Sequence, residues 1–267
     1  MLLSRRLTKS GSKDLINIVG FLVAFVGLWQ LVVMLGIWSE FLLPPPLSVA
    51  QAFIDLIFDS SLFTQILISL WRLILGFSIS IVIGMIIGLI MIKFDSIGRT
   101  VNSFAVGLQS FPSIAWIPFA ILLIGLNDSG ILFVVIMSSV FSVIMSTYSG
   151  IKNIPPIYLR AAKNMGSKGL SLFIHVMLPA ATPSLMTGIK QAWSFAWHAL
   201  IGAEMLITTL VGLGHILFVG REFSNMSQII ATMIIIFLLG LVFDRLLFLK
   251  LEEKIRSRWG LNEHNDN

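Results

Sequence analysis

Long apolar runs separated by short polar clusters dominate the chain. Residues 15–39, 73–92, 101–127, 129–151 and 223–243 contain no charged side chain at all. A bilayer core takes about 20 apolar residues per helix, so each of these runs is long enough to cross one. A sixth stretch, 183–210, is apolar apart from Lys190, His198 and Glu204. The pattern predicts an all-α, polytopic membrane protein with six transmembrane helices. A tail over 1–14 precedes the six-helix domain of 15–249, and a second tail covers 250–267. The first run follows basic residues as a secretory signal does, but it is too long for a signal core and no small-x-small cleavage site closes it.

Composition sharpens that picture. Apolar residues make up 57% of the chain and charged ones 12%, against about half and roughly a quarter in soluble domains. Disorder, a nucleic-acid module and most soluble enzymes are excluded. There is no cysteine, so disulfides and thiolate metal sites are excluded too. The charge is a topology signal. Arg5, Arg6, Lys9 and Lys13, then Lys93 and Arg99, then Lys152, Arg160, Lys163 and Lys168, and finally Lys250, Lys254, Arg256 and Arg258 all fall on one side of the six-helix arrangement. The acidic Glu40, Asp55, Asp59, Asp128 and Glu222 fall in the opposite loops. Basic loops stay in the cytoplasm, which places both termini there.

The segments between the spans carry further expectations. After the first span, Pro44-Pro45-Pro46 makes a rigid break, and Ser48 stands where an N-cap would start a short amphipathic helix. Gln51, Asp55 and Asp59 form its polar stripe beside Val49, Phe53 and Ile57. In the second span Arg72, Gly76, Ser80, Gly84 and Gly88 recur every four residues, a small-residue face for close helix packing. Arg72 is expected to snorkel to the outer interface. Residues 152–179 read as a helix-turn-helix elbow in the cytoplasm. Pro155-Pro156 opens its first helix, Gly166 ends that helix in a left-handed turn, Ser167 caps a second, and Pro179 stops the second before the fifth span.

At this elbow the chain resembles a known family. Permease subunits of ATP-binding-cassette importers carry Glu-Ala-Ala, three residues, Gly, nine residues, Ile-x-Leu-Pro. The run here is Arg160-Ala161-Ala162, Gly166, then Val176-Met177-Leu178-Pro179, with every spacing kept and with Arg160 and Val176 as the departures. Trp71-Arg72 with Gly76-Phe77, Gln109-Ser110-Phe111-Pro112, Ala115-Trp116-Ile117-Pro118, Ala203-Glu204-Met205, Gly212-Leu213-Gly214, Gly240 with Asp244, and Glu252-Glu253 before Trp259 resemble the nitrate, sulfonate and taurine branch. The resemblance implies the transmembrane domain of a type I importer in the inner membrane. It implies that Arg160, Ala161, Ala162, Gly166, Val176, Leu178 and Pro179 form a helix that couples to a separate ATPase. It further implies a second permease copy, most simply an identical one, and an external substrate-binding protein. The chain has no Gly-x-x-x-x-Gly-Lys-Ser/Thr phosphate loop, so ATP and Mg belong to the partner and no cofactor is expected on this chain. Membrane lipid is a further partner, and nucleic acid is not.

Polar groups at membrane depth are costly and tend to face a cavity or a partner. His198 and Glu204 are six positions apart, roughly 240° around a helix, so they do not share a face. They are expected to line or gate the path, with bonding to neighbouring helices as the competing reading. Gln109, Ser110 and Ser113, around Pro112 and before Pro118, are the second path candidates, against a kink that serves packing alone. Lys190 is expected to snorkel, and Asp244 with Arg245 to anchor the end of the last span. An intramembrane enzyme needs a nucleophile–base pair or clustered metal ligands. No His-Glu-x-x-His run exists, and His175, His198, His215 and His264 lie far apart in the sequence. A self-contained secondary transporter or channel is the other alternative.

Overall fold

The computed structural model describes residues 2–207 and 210–249. The expected C-terminal tail, with Lys250, Lys254, Arg256, Arg258, Glu252-Glu253 and Trp259, lies outside them. Every regular element among the described residues is helical. Five helices are long and apolar enough to cross a membrane. A bent pair, broken by 93°, raises the count to six if it is one span. The chain divides into two compact units, one holding the described residues up to Leu62 with Val219–Ile235, the other Phe63–Phe218 with the described residues from Ile236 on.

In the first unit α1 runs Leu2–Met34. The basic N-terminal stretch is helical and continuous with the first span, which begins at Ile16. The Trp29 indole donates to the carbonyl of Pro44 (3.1 Å), tying α1 to the proline-rich turn. Helix α2 (Pro46–Phe58) is capped by Pro45 with Pro46 at its first position, so Ser48 lies inside the helix and does not cap it. A proline there loses nothing, because the first N–H groups of a helix have no partner anyway. Asp59 ends α2 and caps α3 (Ser60–Lys93), accepting from the Ser61 N–H (2.9 Å) and hydroxyl (2.8 Å). These bonds hold the Asp59 carboxyl below the usual carboxylate range, led by the backbone N–H. The cap is intact at neutral pH and is lost only as pH falls through that lowered value.

The second unit is organised around α6 (Asp128–Lys152), against which both α3 and α9 (Leu178–Leu206) pack. The small-residue face of α3 meets a four-residue ladder on α6. A Cβ built at Gly76 would fall 2.8 Å from Val135 Cγ1, at Gly84 2.6 Å from Val143 Cβ, and at Gly88 2.6 Å from Thr147 Cβ. Ser80 and Ser139 are fully buried between those rungs. Towards α9, Gly188 sits against Ser146, and a Cβ at Gly150 would meet Ser184 at 3.1 Å. In lipid, where tails are as apolar as Leu, such close backbone approach and its van der Waals contact hold helices together.

The third expected span is broken. Helix α4 (Asp95–Gln109) starts six residues before the expected run, a turn follows at Ser110–Pro112, and a 3-10 turn (Ser113–Ala115) leads into α5 (Trp116–Leu123). Pro112 has no N–H to continue α4 and disfavours helical geometry at Phe111. Pro118 sits in the first turn of α5, where it breaks nothing. Phe111, Trp116, Phe119 and Phe133 gather at this corner with ring centroids 5.5–6.4 Å apart.

The elbow begins as expected and ends differently. Helix α7 (Pro156–Asn164) opens on Pro155-Pro156. Gly166 has φ +86, its N–H donates to the Lys163 carbonyl, and the Ser167 N–H donates to Ala162 (both 3.0 Å), a Schellman turn. Lys168, not Ser167, occupies the cap position of α8 (Gly169–Leu172). Pro179 does not stop the helix. The backbone widens into a π-turn at Phe173–Met177, the Leu178 N–H reaches the Phe173 carbonyl, and α9 continues straight through. The wider turn takes up the position where a proline ring would clash and where its N–H is missing. Ile151, Ile154, Ala181 and Leu185 bury the root of the elbow, with Leu159, Phe173 and Met177 against them. Beyond α9, α10 (Leu213–Glu222) and α11 (Met226–Phe243) follow, ending in a π-turn at Asp244–Leu249. Lys190 pairs with Asp244 at 3.6 Å, so Asp244 holds a neighbouring helix in addition to ending its own.

Candidate functional site

Two constellations of polar groups stand out within the second unit, and a third feature is the elbow. The first is a charge clasp that joins α3, α6, α9 and the segment before α10. Arg72 is 4% exposed and Glu204 is 0% exposed. Arg72 Nη1 donates to Glu204 Oε1 (2.9 Å) and to the carbonyl of Val211 (2.8 Å), and Nη2 donates to Asp128 Oδ1 (2.6 Å). The Ser69 hydroxyl is 2.8 Å from both Glu204 oxygens and accepts from the Leu213 N–H at 2.9 Å. The Gly214 N–H donates to Glu204 Oε2 (3.0 Å), and the Gly212 N–H to Gln65 Oε1 (2.7 Å). An isolated charge is costly to bury, and this set closes because nearly every polar atom has a partner. Only Arg72 Nε is left without one.

One sequence expectation is corrected here. Arg72 does not snorkel; its guanidinium turns inward onto two carboxylates. Glu204 has no exposed surface, and its carboxylate bonds to Ser69 and Arg72 of α3 and to the Gly214 N–H. Three participants had not been foreseen. Ser69 and Gln65 are ordinary helix residues until the fold brings residues 211–214 over them, and Asp128 had read only as a loop acid. The one available signal was Trp71-Arg72, Ala203-Glu204 and Gly212-Leu213-Gly214 appearing as separate motifs, the first more than a hundred residues from the other two; the structure joins them. The glycines are steric requirements. Gly212 has φ +134, and a Cβ there would sit 2.6 Å from Glu204 Cδ; one at Gly214 would sit 2.5 Å from Glu204 Cβ. Gly212→Ala is therefore expected to destabilise the protein by at least about 1–2 kcal/mol from backbone strain alone, read as a lower unfolding temperature in detergent.

The second constellation is a polar stripe along α9. Ala181, Leu185, Gly188, Ala192, Ala196, Ala199 and Ala203 turn into the unit and are buried. Ser184, Thr187, Gln191, Ser194 and His198 are all exposed, within an arc of about 80° at 100° per residue. The hydroxyls of Thr187 and Ser194 bond back to the carbonyls of Pro183 (3.1 Å) and Lys190 (3.3 Å), while Gln191 Oε1 accepts from Ser142 at 3.3 Å. The ring of His198 has no hydrogen bond or ion pair among the described residues. No carboxylate lies on the stripe. The broken segment closes its far end: a Cβ at Gly202 would touch Ile114 and Ile117 at 3.7 Å, one helical turn past His198. Gln109 and Ser113 there are half-buried and Ser110 is exposed, its hydroxyl bonded to Val106 at 3.0 Å. The structure thus sets the Ser113–Ala115 turn and Ile117 against α9 one helical turn past His198 and separates His198 from Glu204.

On the elbow Arg160, Ala161 and Gly166 are exposed, Leu178 is exposed at its base, and Val176 and Pro179 are half-buried. Ala162 is 3% exposed and packs inward, so it shapes the elbow and does not offer surface to a partner. Among the described residues, no three His, Asp or Glu side chains gather as a metal-binding group.

Comparison with known proteins decides the family. The model of the binding-protein-dependent transport system inner membrane component matches residues 80–249. The chain belongs to that family. It is therefore a multi-pass transport permease of the inner membrane and not an enzyme. The permease is 34% identical, over 91% of both chains, to SsuC of Escherichia coli, a permease protein named for aliphatic sulfonates transport. It is 28% identical to the bicarbonate transport system permease protein CmpB of Synechocystis, over 86% of this permease and 83% of that protein. In fold it is similar to a chain of the MetNI methionine ABC transporter solved in inward-facing conformations, with a TM-score of 0.54 at 15% identity, over 74% of this chain and 98% of the other. The fold is that of an ABC importer transmembrane domain.

Proposed function

We propose that the permease carries a small oxyanion along the polar stripe of α9, driven by a separate ATPase that docks on the cytoplasmic elbow and supplied by an external binding protein. The observation that carries this reading is the stripe itself. Of the five side chains, Ser184, the Gln191 amide nitrogen and His198 carry polar atoms with no hydrogen bond among the described residues. On the exposed face of a membrane helix these are too costly to leave against hydrocarbon, so the stripe faces water, a solute or a second copy. Hydroxyl, amide and imidazole groups without a carboxylate suit an anionic solute, in keeping with relatives named for sulfonates and bicarbonate. Two copies of the chain, stripe to stripe, enclose the path. The exposed apolar residues of α1, such as Phe21, Phe25 and Leu28, meet lipid. ATP and Mg are bound by the partner.

The test is uptake by the complex reconstituted in liposomes with ATP inside, using labelled bicarbonate and ethanesulfonate. Gln191→Leu with His198→Leu is expected to lower uptake at least about tenfold, each lost hydrogen bond being worth about 1 kcal/mol, while the amount of co-purified ATPase stays the same. Wild-type uptake by the double variant would remove α9 from the path. Uptake that proceeds without ATP would mark a self-contained transporter.

A further inference from the structure

We infer that the elbow of this permease selects an ATPase whose docking groove is acidic, with Arg160 as the residue that reads it. The inference rests on the coupling-elbow reading above and adds the chemistry of the partner. Between residues 152 and 179 there are four basic residues and no acidic one. Lys152 is engaged with Tyr148, its ammonium 2.7 Å from the phenol oxygen. Arg160, Lys163 and Lys168 are exposed and have no ion pair or hydrogen bond among the described residues.

Arg160 belongs to the exposed face of α7. On α7, Ile157, Arg160, Ala161 and Asn164 occupy an arc of about 100°, and all four are exposed. Leu159 and Ala162 lie on the opposite arc, half-buried and buried, so the helix is fixed to its own chain by one face and free on the other. The free face carries Arg160 at one edge of the arc and the methyl-sized Ala161 at the other, with Ile157 and Asn164 between them and Met165, 81% exposed, at its end. A small residue there lets a partner backbone come close, and Ile157 and Met165 give it apolar area. A guanidinium at the edge of such a contact loses water on docking and is best met by a carboxylate, most favourably in bidentate geometry. A groove with a basic or neutral floor leaves that charge uncompensated. The charge thus does two things at once: it favours an acidic groove and rejects ATPases built for a glutamate at this position. The bilayer is the competing occupant, since basic residues also meet anionic headgroups, but a carboxylate on a protein can be reversed and a headgroup cannot.

The experiment is co-purification of the ATPase with tagged full-length permease in detergent at low and high salt, followed by ATP-driven uptake in liposomes. Arg160→Glu is expected to reduce association at least tenfold. Arg160→Gln is expected to reduce it less and to abolish its salt dependence. Reversing the facing carboxylate of the ATPase to arginine is expected to restore association of Arg160→Glu and not of wild type. The inference is overturned if Arg160→Glu associates as wild type while Ala161→Glu does not; the elbow then couples, but through shape alone. It is also overturned if no reversed ATPase carboxylate rescues Arg160→Glu, which assigns the charge to lipid. If Ala161→Glu also leaves association and uptake intact, the coupling elbow itself falls.

Discussion

Arg72→Met is expected to destabilise the permease by about 3–5 kcal/mol, the usual cost of removing one partner of a buried ion pair. The methionine fills much of the same space, so the loss is electrostatic. It strands the Glu204 carboxylate, which has no exposed surface, and removes the guanidinium from Asp128 and from the Val211 carbonyl at the same time. Against a total stability of about 5–15 kcal/mol, that leaves a protein close to unfolding. The measurement is the temperature at which the monodisperse peak of detergent-solubilised protein is lost. Glu204→Gln should cost less, because the amide keeps an acceptor for Ser69 or Gly214 and Arg72 keeps Asp128. The double variant Arg72→Met, Glu204→Met should recover part of the loss, since no buried charge is left unpaired, although Ser69 and the Gly214 N–H lose their acceptor. An Arg72→Met protein as stable as wild type would show that the clasp does not hold α3, α6 and α9 together.

The second large effect is expected at the α3–α6 face. Gly84→Leu places a Cβ 2.6 Å from Val143 Cβ and 3.1 Å from the Val140 carbonyl oxygen, where carbon atoms in contact prefer about 3.5–4.0 Å. Because the second obstacle is backbone, a rotamer change in Val143 cannot relieve it and the helices must separate. Separation also loosens the rungs at Gly76 and Gly88. Overpacking typically costs about 1–3 kcal/mol, and three linked rungs put Leu at the upper end or beyond, with Gly84→Ala milder. Pairing Gly84→Ala with Val143→Ala should recover little of the loss, because alanine keeps the Cβ that lies 2.6 Å away and leaves the Val140 carbonyl in place, as a double-mutant cycle in the same thermal assay would read. Equal stability of Gly84→Leu and wild type would mean that the two helices do not rely on this face.

Much of this architecture was legible from residue order because its causes are local. Gly166 ends α7 where only a left-handed residue completes the turn, and Pro155-Pro156 opens it where no N–H is needed. The four-residue glycine spacing marked the packing face of α3 before any partner was known. The site was less legible. Glu204 and His198 looked alike from composition, two ionisable groups on one apolar helix, yet one is sealed in a clasp and the other sits on the open stripe. Pro179 looked like a stop, and a π-turn carries the helix past it. Ser184, Thr187 and Ser194 attracted no notice, because single hydroxyls in a membrane helix usually bond back to their own backbone.

What the sequence determined by itself is everything that depends on the solvent and on chain-local geometry. That includes the membrane class, the segregation of basic and acidic residues between the loops, the elbow and its family resemblance. What only the tertiary structure decided is which polar groups meet. A buried charge is tolerated or not according to its neighbours in space, and the neighbours of Glu204 come from positions 69, 72 and 214. No periodicity along the chain encodes that distance. It is fixed by how closely α3, α6 and α9 pack, and that closeness is set by glycines facing side chains on another helix.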